Sequence, residues 1–539
     1  MKRVNNSSRP VSEQGGAAAS GPRDEGRRRH EAPPSERTKE PRNPPLLLAP
    51  LRVERAALAS ALPSFRAVRV GMGPARAAAV PLPDRSGPTV VAGLAGGLAD
   101  DVRPGDVVVA SEVRDGRTVT PVPSASLLAG AVRRLGLRVH VGPVYTDDRV
   151  VSGARRQELA ATGAIAVDME SAPLGARLAA HDPATPFAVL RVVVDTAEHP
   201  LVRPGTAVRS IAALRTLRRT APALDQWVAA AGAREVVLAA PRSFCAGVER
   251  AIEVVERALD RHGAPVYVRR QIVHNASVVR DLEKRGAVFV QEADDVPPGA
   301  VLVLAAHGVS PAVRDHAAAR ELTVIDATCP LVSKVHAEVR RYARRDTTVF
   351  LVGHADHEEV EGTVGEAPDH VVVVEDVAQA RLVQPRDPDR VAYVTQTTLA
   401  RQDAEHIVGT LRERFPSLRA PQKDDICYAT TNRQQAVQEI AADVDLVLVL
   451  GSPNSSNSRR LVEVAELAGA PARLLDHAEE VDLTDLTEAG RIGITAGASA
   501  PPHLVEELLG NLAGLGPLSI REHRVAEEDV MFTLPPGVI

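Results

Sequence analysis

From Leu46 onward the chain alternates short apolar runs with longer Ala-, Leu- and Arg-rich stretches. The runs Leu46-Leu47-Leu48, Thr89-Val90-Val91, Val107-Val108-Val109 and Ala188-Val189-Leu190 predict strands, and the stretches between them predict helices. That alternation predicts an α/β domain with a mainly parallel sheet over residues 46–232. After Ala230-Ala231-Gly232 a new strand opens at Val236-Val237-Leu238, which places a domain boundary there.

Beyond the boundary one theme repeats. A strand at Val236–Ala239 leads to Cys245 and a helical pattern over Ala246–Leu259; a strand at Leu322–Ile325 leads to Cys329 and a pattern over Leu331–Tyr342. Cys427 follows Asp424-Asp425-Ile426 and opens onto Thr430–Ile440. The cysteines are spaced 84 and 98 residues apart, which predicts three similar α/β subdomains at about 233–326, 327–420 and 421–525, followed by a C-terminal tail. A cysteine just before a helix sits where the N-terminal dipole and free N–H groups favour a thiolate.

Polar clusters fall at the same kind of place, after apolar strands: Gln271-Ile272-Val273-His274-Asn275, Ala306-His307-Gly308, the stretch from Gly353 to Glu359, Thr395-Gln396-Thr397-Thr398, the stretch from Gly451 to Ser458, and Thr495 to Ser499. Ligands of open α/β sheets bind at the carboxyl ends of strands. His, Ser and Asn donors beside small residues suit a diphosphate without a phosphate-binding lysine.

Composition narrows the reading. A chain of 539 residues holds several folding units, and its 25% charged residues and net charge of −5 are those of a soluble chain. The longest apolar stretches, such as Val301–Ala306, are far too short to span a membrane. The balanced charge and aromatics limited to Trp 1, Tyr 5 and Phe 7 speak against a nucleic-acid binder. Three cysteines form no disulfide framework, and no secretory apolar segment opens the chain, so a reducing cytoplasm is the expected compartment. Met1–Pro45, rich in Arg, Glu, Ser, Gly and Pro, is expected to be disordered.

Any one cysteine alone reads as a buried structural residue. The three lack the close Cys pair of a zinc site or ferredoxin, and together suit a 4Fe-4S cluster with one iron left open. A zinc or labile-cluster sensor with a purine-binding regulatory domain is the alternative. A carboxylic acid beside a diphosphate cradle separates the two, since a sensor has no use for one.

From about Val236 to Phe532 the chain resembles the 4-hydroxy-3-methylbut-2-enyl diphosphate reductases, which complete the non-mevalonate isoprenoid pathway. The resemblance is carried by Cys-Ala-Gly-Val at Cys245, Val-His-Asn at His274, Ala-His-Gly-Val at His307, Asp-Ala-Thr-Cys-Pro-Leu-Val at Cys329, His357 and Glu359 with Val-Glu-Gly-Thr after them, Thr-Gln-Thr-Thr-Leu from Thr395, Cys-Tyr-Ala-Thr-Thr-Asn-Arg-Gln at Cys427, Asn-Ser-Ser-Asn-Ser from Asn454 and Ala-Gly-Ala-Ser-Ala around Ser499. Glu358 stands where the family usually has Pro. The resemblance implies a trefoil of three α/β subdomains around a cluster ligated by Cys245, Cys329 and Cys427. It implies a diphosphate held by His274, His307, His357, Ser455, Ser456, Asn457 and Ser499, a proton delivered by Glu359 through Thr397, and electrons from a ferredoxin- or flavodoxin-type donor.

Residues 46–232 resemble the nucleoside phosphorylase and nucleosidase superfamily in Gly71-Met72-Gly73, the glycine-rich run from Ala92 to Leu98, Val167-Asp168-Met169-Glu170-Ser171 and the stretch from Arg191 to Ala197. The resemblance implies that Met169 and Glu170 hold a ribose, Asp195 protonates a leaving purine and Glu54 activates water. All cluster and diphosphate candidates follow Ala233, so the two halves are expected to be separable.

Overall fold

The computed structural model describes residues 43–83, 87–201 and 205–538, and residues 43–539 group as one compact unit. The expected disordered tail falls almost wholly outside the described residues. Among these, no helix is long and apolar enough to cross a membrane.

The first half is built on an eight-stranded sheet. Leu46–Ala49 runs parallel between Arg66–Arg69 and Thr89–Gly97. Phe187–Asp195, buried along its whole length, pairs parallel with Thr89–Gly97 and antiparallel with Val107–Arg114. Through Val139–Thr146 and Ala166–Asp168 these strands close into a five-strand ring. Most pairings are parallel, as the alternation of elements predicts. The antiparallel ones depend on which strand ends meet, and a one-dimensional pattern carries no such information.

The second half holds three wholly parallel sheets. Val266–Arg269, Ala287–Val290, Val301–Leu304 and Thr323–Asp326 form the first, and Thr348–Val352, Val371–Val374 and Val391–Thr395 the second. The third joins Leu446–Leu450, Ala472–Leu475 and Arg491–Ala496 to Arg234–Ala240 and Leu518–Arg524. Here the structure departs from the expected subdivision. The strand just after the boundary lies in the last sheet, beside Arg491–Ala496, because its two apolar faces are buried there on opposite sides: Val236 and Leu238 on one, Val237 and Ala239 on the other.

The halves also share a core. One continuous apolar cluster runs from Leu47, Val90 and Leu190 of the first sheet through Leu224 and Trp227 to Leu448, Ile492 and Leu508 of the third sheet and its covering helix. Contact reaches the backbone: a Cβ on Gly130 would lie 1.9 Å from the Glu479 carbonyl oxygen, and one on Gly514 2.4 Å from Ser124 N. The expectation of two self-sufficient halves therefore meets a shared apolar face that neither covers alone. Trp227, the chain's single tryptophan, is fully buried in this cluster and donates through Nε1 to Ser124 Oγ at 3.1 Å. Trp227→Ala is expected to lower stability by about 3–5 kcal/mol, read as a fall in the urea midpoint followed by circular dichroism. A midpoint unchanged from wild type would mean that the two halves do not depend on one core.

Candidate active site

Each cysteine is the residue immediately before a helix: Cys245 precedes Ala246–His262, Cys329 precedes Pro330–Ala343, and Cys427 precedes Tyr428–Ala441. The three helices bring the three thiols to one cavity of about 110 Å³. Gly247 marks how closely they meet, since a Cβ there would fall 2.8 Å from Cys329 Sγ and 3.8 Å from Cys245 Sγ. Burial pushes the Cys329 thiol up to about 11 and Cys427 up to about 12, against hydrogen bonds from their helix N-termini that lower them. This corrects the expectation of thiolates set by the helix dipole: in these two, desolvation outweighs it.

The remaining candidates of this half, Glu359, Thr397, His274, His307, His357, Ser455, Ser456, Asn457 and Ser499, line the same cavity. Glu359 is buried in the first turn of Glu358–Val364. Its Oε1 accepts from Thr397 N at 2.7 Å and its Oε2 from Thr397 Oγ1 at 2.9 Å. Burial raises its pKa, and the two bonds from Thr397 oppose the rise only in part. Thr397 O in turn accepts from Cys427 N at 3.0 Å, which ties the acid to a cysteine loop.

His357 caps the Glu359 helix, its Nδ1 accepting from Glu359 N at 3.1 Å, so the neutral ring carries its proton on Nε2. His274 and His307 stack with centroids 4.0 Å apart, and His357 stands edge-on to both. Burial drives His274 down to about 2 and His357 down to about 4, so both rings are neutral donors. Neither buried ring nitrogen of His274 has a hydrogen-bond partner among the described residues, and nor does Ser456 Oγ. Orphaned polar atoms aimed at a cavity mark a place for a polar ligand.

The serine loop is built by two close approaches. Gly451 and Gly497 end neighbouring strands, and a Cβ on either would lie about 2 Å from Ser458 Oγ, so only glycine leaves room for that serine. Ser458 in turn bonds Ser455 Oγ at 3.0 Å; Ser499 Oγ donates to the His274 carbonyl at 3.0 Å; and Asn457 Oδ1 accepts from Ala498 N at 2.9 Å. No Lys or Arg lines the cavity among the described residues.

Sequence reasoning missed several residues. Phe532 reaches the cavity from a tail without regular structure, pinned where Glu528 pairs with the fully buried Arg433, which also donates to the Ser243 and Phe244 carbonyls. Asp425, two residues before Cys427, accepts from Thr395 N at 3.1 Å and Lys334 Nζ at 3.0 Å, and burial lifts it to about 6. Glu358, known from the sequence only as a departure from Pro, lies 3.3 Å from His307 Nδ1.

Residues 236–513 match the family model described as LytB protein. The chain belongs to the LytB family. Over 305 residues its LytB half is 54% identical to the 4-hydroxy-3-methylbut-2-enyl diphosphate reductase of Leifsonia xyli subsp. xyli, covering 56% of this chain and 90% of that one. Against 4-hydroxy-3-methylbut-2-enyl diphosphate reductase 1 of Mycobacterium tuberculosis it is 52% identical over 313 residues, covering 57% and 95%. The solved Plasmodium falciparum reductase superposes on the LytB half with a TM-score of 0.55 at 37% identity, over 57% of this chain and 97% of that one. Residues 66–221 match the Phosphorylase superfamily.

The phosphorylase-like half has its own cavity, about 290 Å³, lined by Glu54, Met169, Glu170 and Asp195 together. Glu170 Oε1 accepts from Gly73 N at 2.8 Å, and Glu54 takes Leu51 N at 2.6 Å and Leu94 N at 2.8 Å. Beneath them lies Arg191, fully buried and paired with Asp168 and Glu170. Gly93 lets it pass, since a Cβ there would sit 2.8 Å from Arg191 Nη1. Burial raises Glu54, Asp195 and Glu170, the last to about 7. Asp195 is paired with Arg156, a partner the sequence motifs do not reveal.

Gly247→Ala is expected to strip most of the metal from the LytB half, because a methyl group cannot share space with Cys329 Sγ. The check is iron and sulfide per chain after anaerobic purification, and wild-type loading would mean that the thiols have slack.

Proposed function

We propose that the LytB half reduces 4-hydroxy-3-methylbut-2-enyl diphosphate to isopentenyl and dimethylallyl diphosphate. The observation that supports this most is the joining of three thiols, a buried carboxyl paired to a threonine, and unpartnered His and Ser donors in one cavity. Cys245, Cys329 and Cys427 fit a 4Fe-4S cluster: they are three soft donors without a fourth, and the space beside Gly247 that a Cβ would fill is open to them. When bound, the cluster supplies electrons and one Lewis-acidic iron.

The chain's own residues do the rest. Neutral His274 and His357, with His307, Ser455, Ser456, Asn457 and Ser499, donate hydrogen bonds to the diphosphate, whose charge meets dipoles rather than cations. Val248, Leu331, Val332 and Phe532 cover the short allylic chain and exclude water. Burial raises the Glu359 pKa, and in the acid form its Oε2 donates to Thr397 Oγ1, 2.9 Å away, which passes its own proton to the leaving hydroxyl. One C–O bond breaks and one C–H bond forms, so the alcohol, two electrons and two protons give isopentenyl or dimethylallyl diphosphate and water. The electrons come from a small one-electron carrier of ferredoxin or flavodoxin type.

The phosphorylase-like half is read as a nucleoside site, with Met169 and Glu170 at the ribose, Asp195 at the base and Glu54 at the attacking water. Two measurements test the reductase reading. Anaerobic full-length protein given a reduced viologen dye converts the allylic diphosphate to both products, and it contains iron and sulfide in equal amounts. Stoichiometric zinc without sulfide, and no turnover, would favour the sensor reading instead.

A further inference from the structure

The segment Asp476–Val481 contributes nothing to the LytB cavity, yet it is held from three sides. Toward the cavity, Asp476 Oδ1 accepts from Ser452 Oγ at 2.6 Å. Ser452 heads the loop that carries Ser455, and its carbonyl accepts from Ser455 N at 2.9 Å. Within the segment, Asp476 N donates to Glu480 Oε2 at 2.8 Å. From the side, His477 Nε2 lies 3.3 Å from Arg280 Nη2 on helix Ala276–Lys284, whose cap Asn275 follows His274.

The third grip comes from the other half of the chain. Helix Ala125–Arg134 lies so close that Gly130 has no room for a Cβ against the Glu479 carbonyl. Arg133 pairs with the Glu479 carboxylate, and Arg134 Nη2 donates to the Val481 carbonyl at 3.0 Å. Ala478 and Val481 are buried in the cluster shared by the halves.

We propose that the phosphorylase-like half is a positioning element for the diphosphate loop, acting through Asp476. The helix fixes the backbone of residues 479–481. Glu480 and the short turn then fix Asp476, whose carboxylate orients Ser452 and with it Ser455. A loop already held in its binding conformation spends less ordering entropy when the ligand arrives. The coupling is reciprocal, so diphosphate bound at the loop tightens the helix in turn. This inference rests on the reading of Ser455, Ser456 and Asn457 as diphosphate ligands.

The test uses the cluster-loaded full chain. Arg133→Ala with Arg134→Ala changes two exposed side chains remote from both cavities. The pair is expected to raise KM for the allylic diphosphate about three- to tenfold, the scale of one or two lost hydrogen bonds, with kcat within twofold of wild type. Asp476→Ala raises KM likewise, and Asp476→Asn, which keeps an acceptor for Ser452, recovers it. In hydrogen–deuterium exchange, inorganic diphosphate slows exchange in residues 451–458, 476–481 and 125–134 of wild type, and the Arg variant loses the protection of 125–134. A KM within twofold of wild type in the Arg variant overturns the coupling. Protection confined to 451–458 overturns it too while leaving the loop's role intact. Absence of protection at 451–458 overturns the diphosphate reading of the loop and the coupling with it.

Discussion

Glu359→Gln leaves iron and sulfide at wild-type levels and lowers kcat for the allylic diphosphate by about a hundredfold or more, the scale of removing a positioned general acid. The amide fills the same space and its oxygen can still accept from Thr397, so the fold and the cavity persist. What is lost is the proton. Burial raises the Glu359 pKa in the folded protein, so the acid form survives at pH values where an exposed carboxyl is ionised. The sign follows: kcat falls as pH rises through the raised value, and this limb vanishes in the variant. Single-turnover kinetics of the pre-reduced enzyme across pH provide the check, and a kcat within a fewfold of wild type would assign the proton to another group.

The second large effect belongs to the cysteines. Cys427→Ser is expected to lose most of the iron and all measurable turnover, since a serine oxygen is a poor substitute for a soft thiolate on iron. The surroundings sharpen the result. Cys427 Sγ accepts from Thr430 N at 3.3 Å, a bond the serine oxygen can keep, so the helix start and the fold remain. Iron and sulfide per chain, with the visible absorbance of the anaerobic protein, measure the loss, and circular dichroism shows that it is not unfolding. Because burial holds Cys329 and Cys427 as neutral thiols, loading the protein also releases protons, detectable in a weakly buffered solution. Full iron content in the Ser variant would remove Cys427 from the ligand set.

The local part of this molecule was legible from its residues alone. Each cysteine precedes a helix because an apolar strand, a short turn and a helical pattern follow one another in sequence, and such order needs no distant partner. The His, Ser and Asn clusters are found for the same reason, as polar breaks after apolar strands. Pairing over long separations is different. Arg234–Ala240 joins the last sheet, and Phe187–Asp195 closes a ring, because burying both faces of each strand lowers the free energy, and those faces are completed by residues far away in the chain. Phe532 enters the site from a tail that has no period to read, and Asp425 is buried behind it by a loop of the same kind. Only the tertiary structure decides the electrostatics: desolvation raises the pKa values of Cys329, Cys427 and Glu359, and depends on everything packed around them. The shared core around Trp227 belongs to the same class, because an apolar helix face looks identical in sequence whether it is covered by its own domain or by the next.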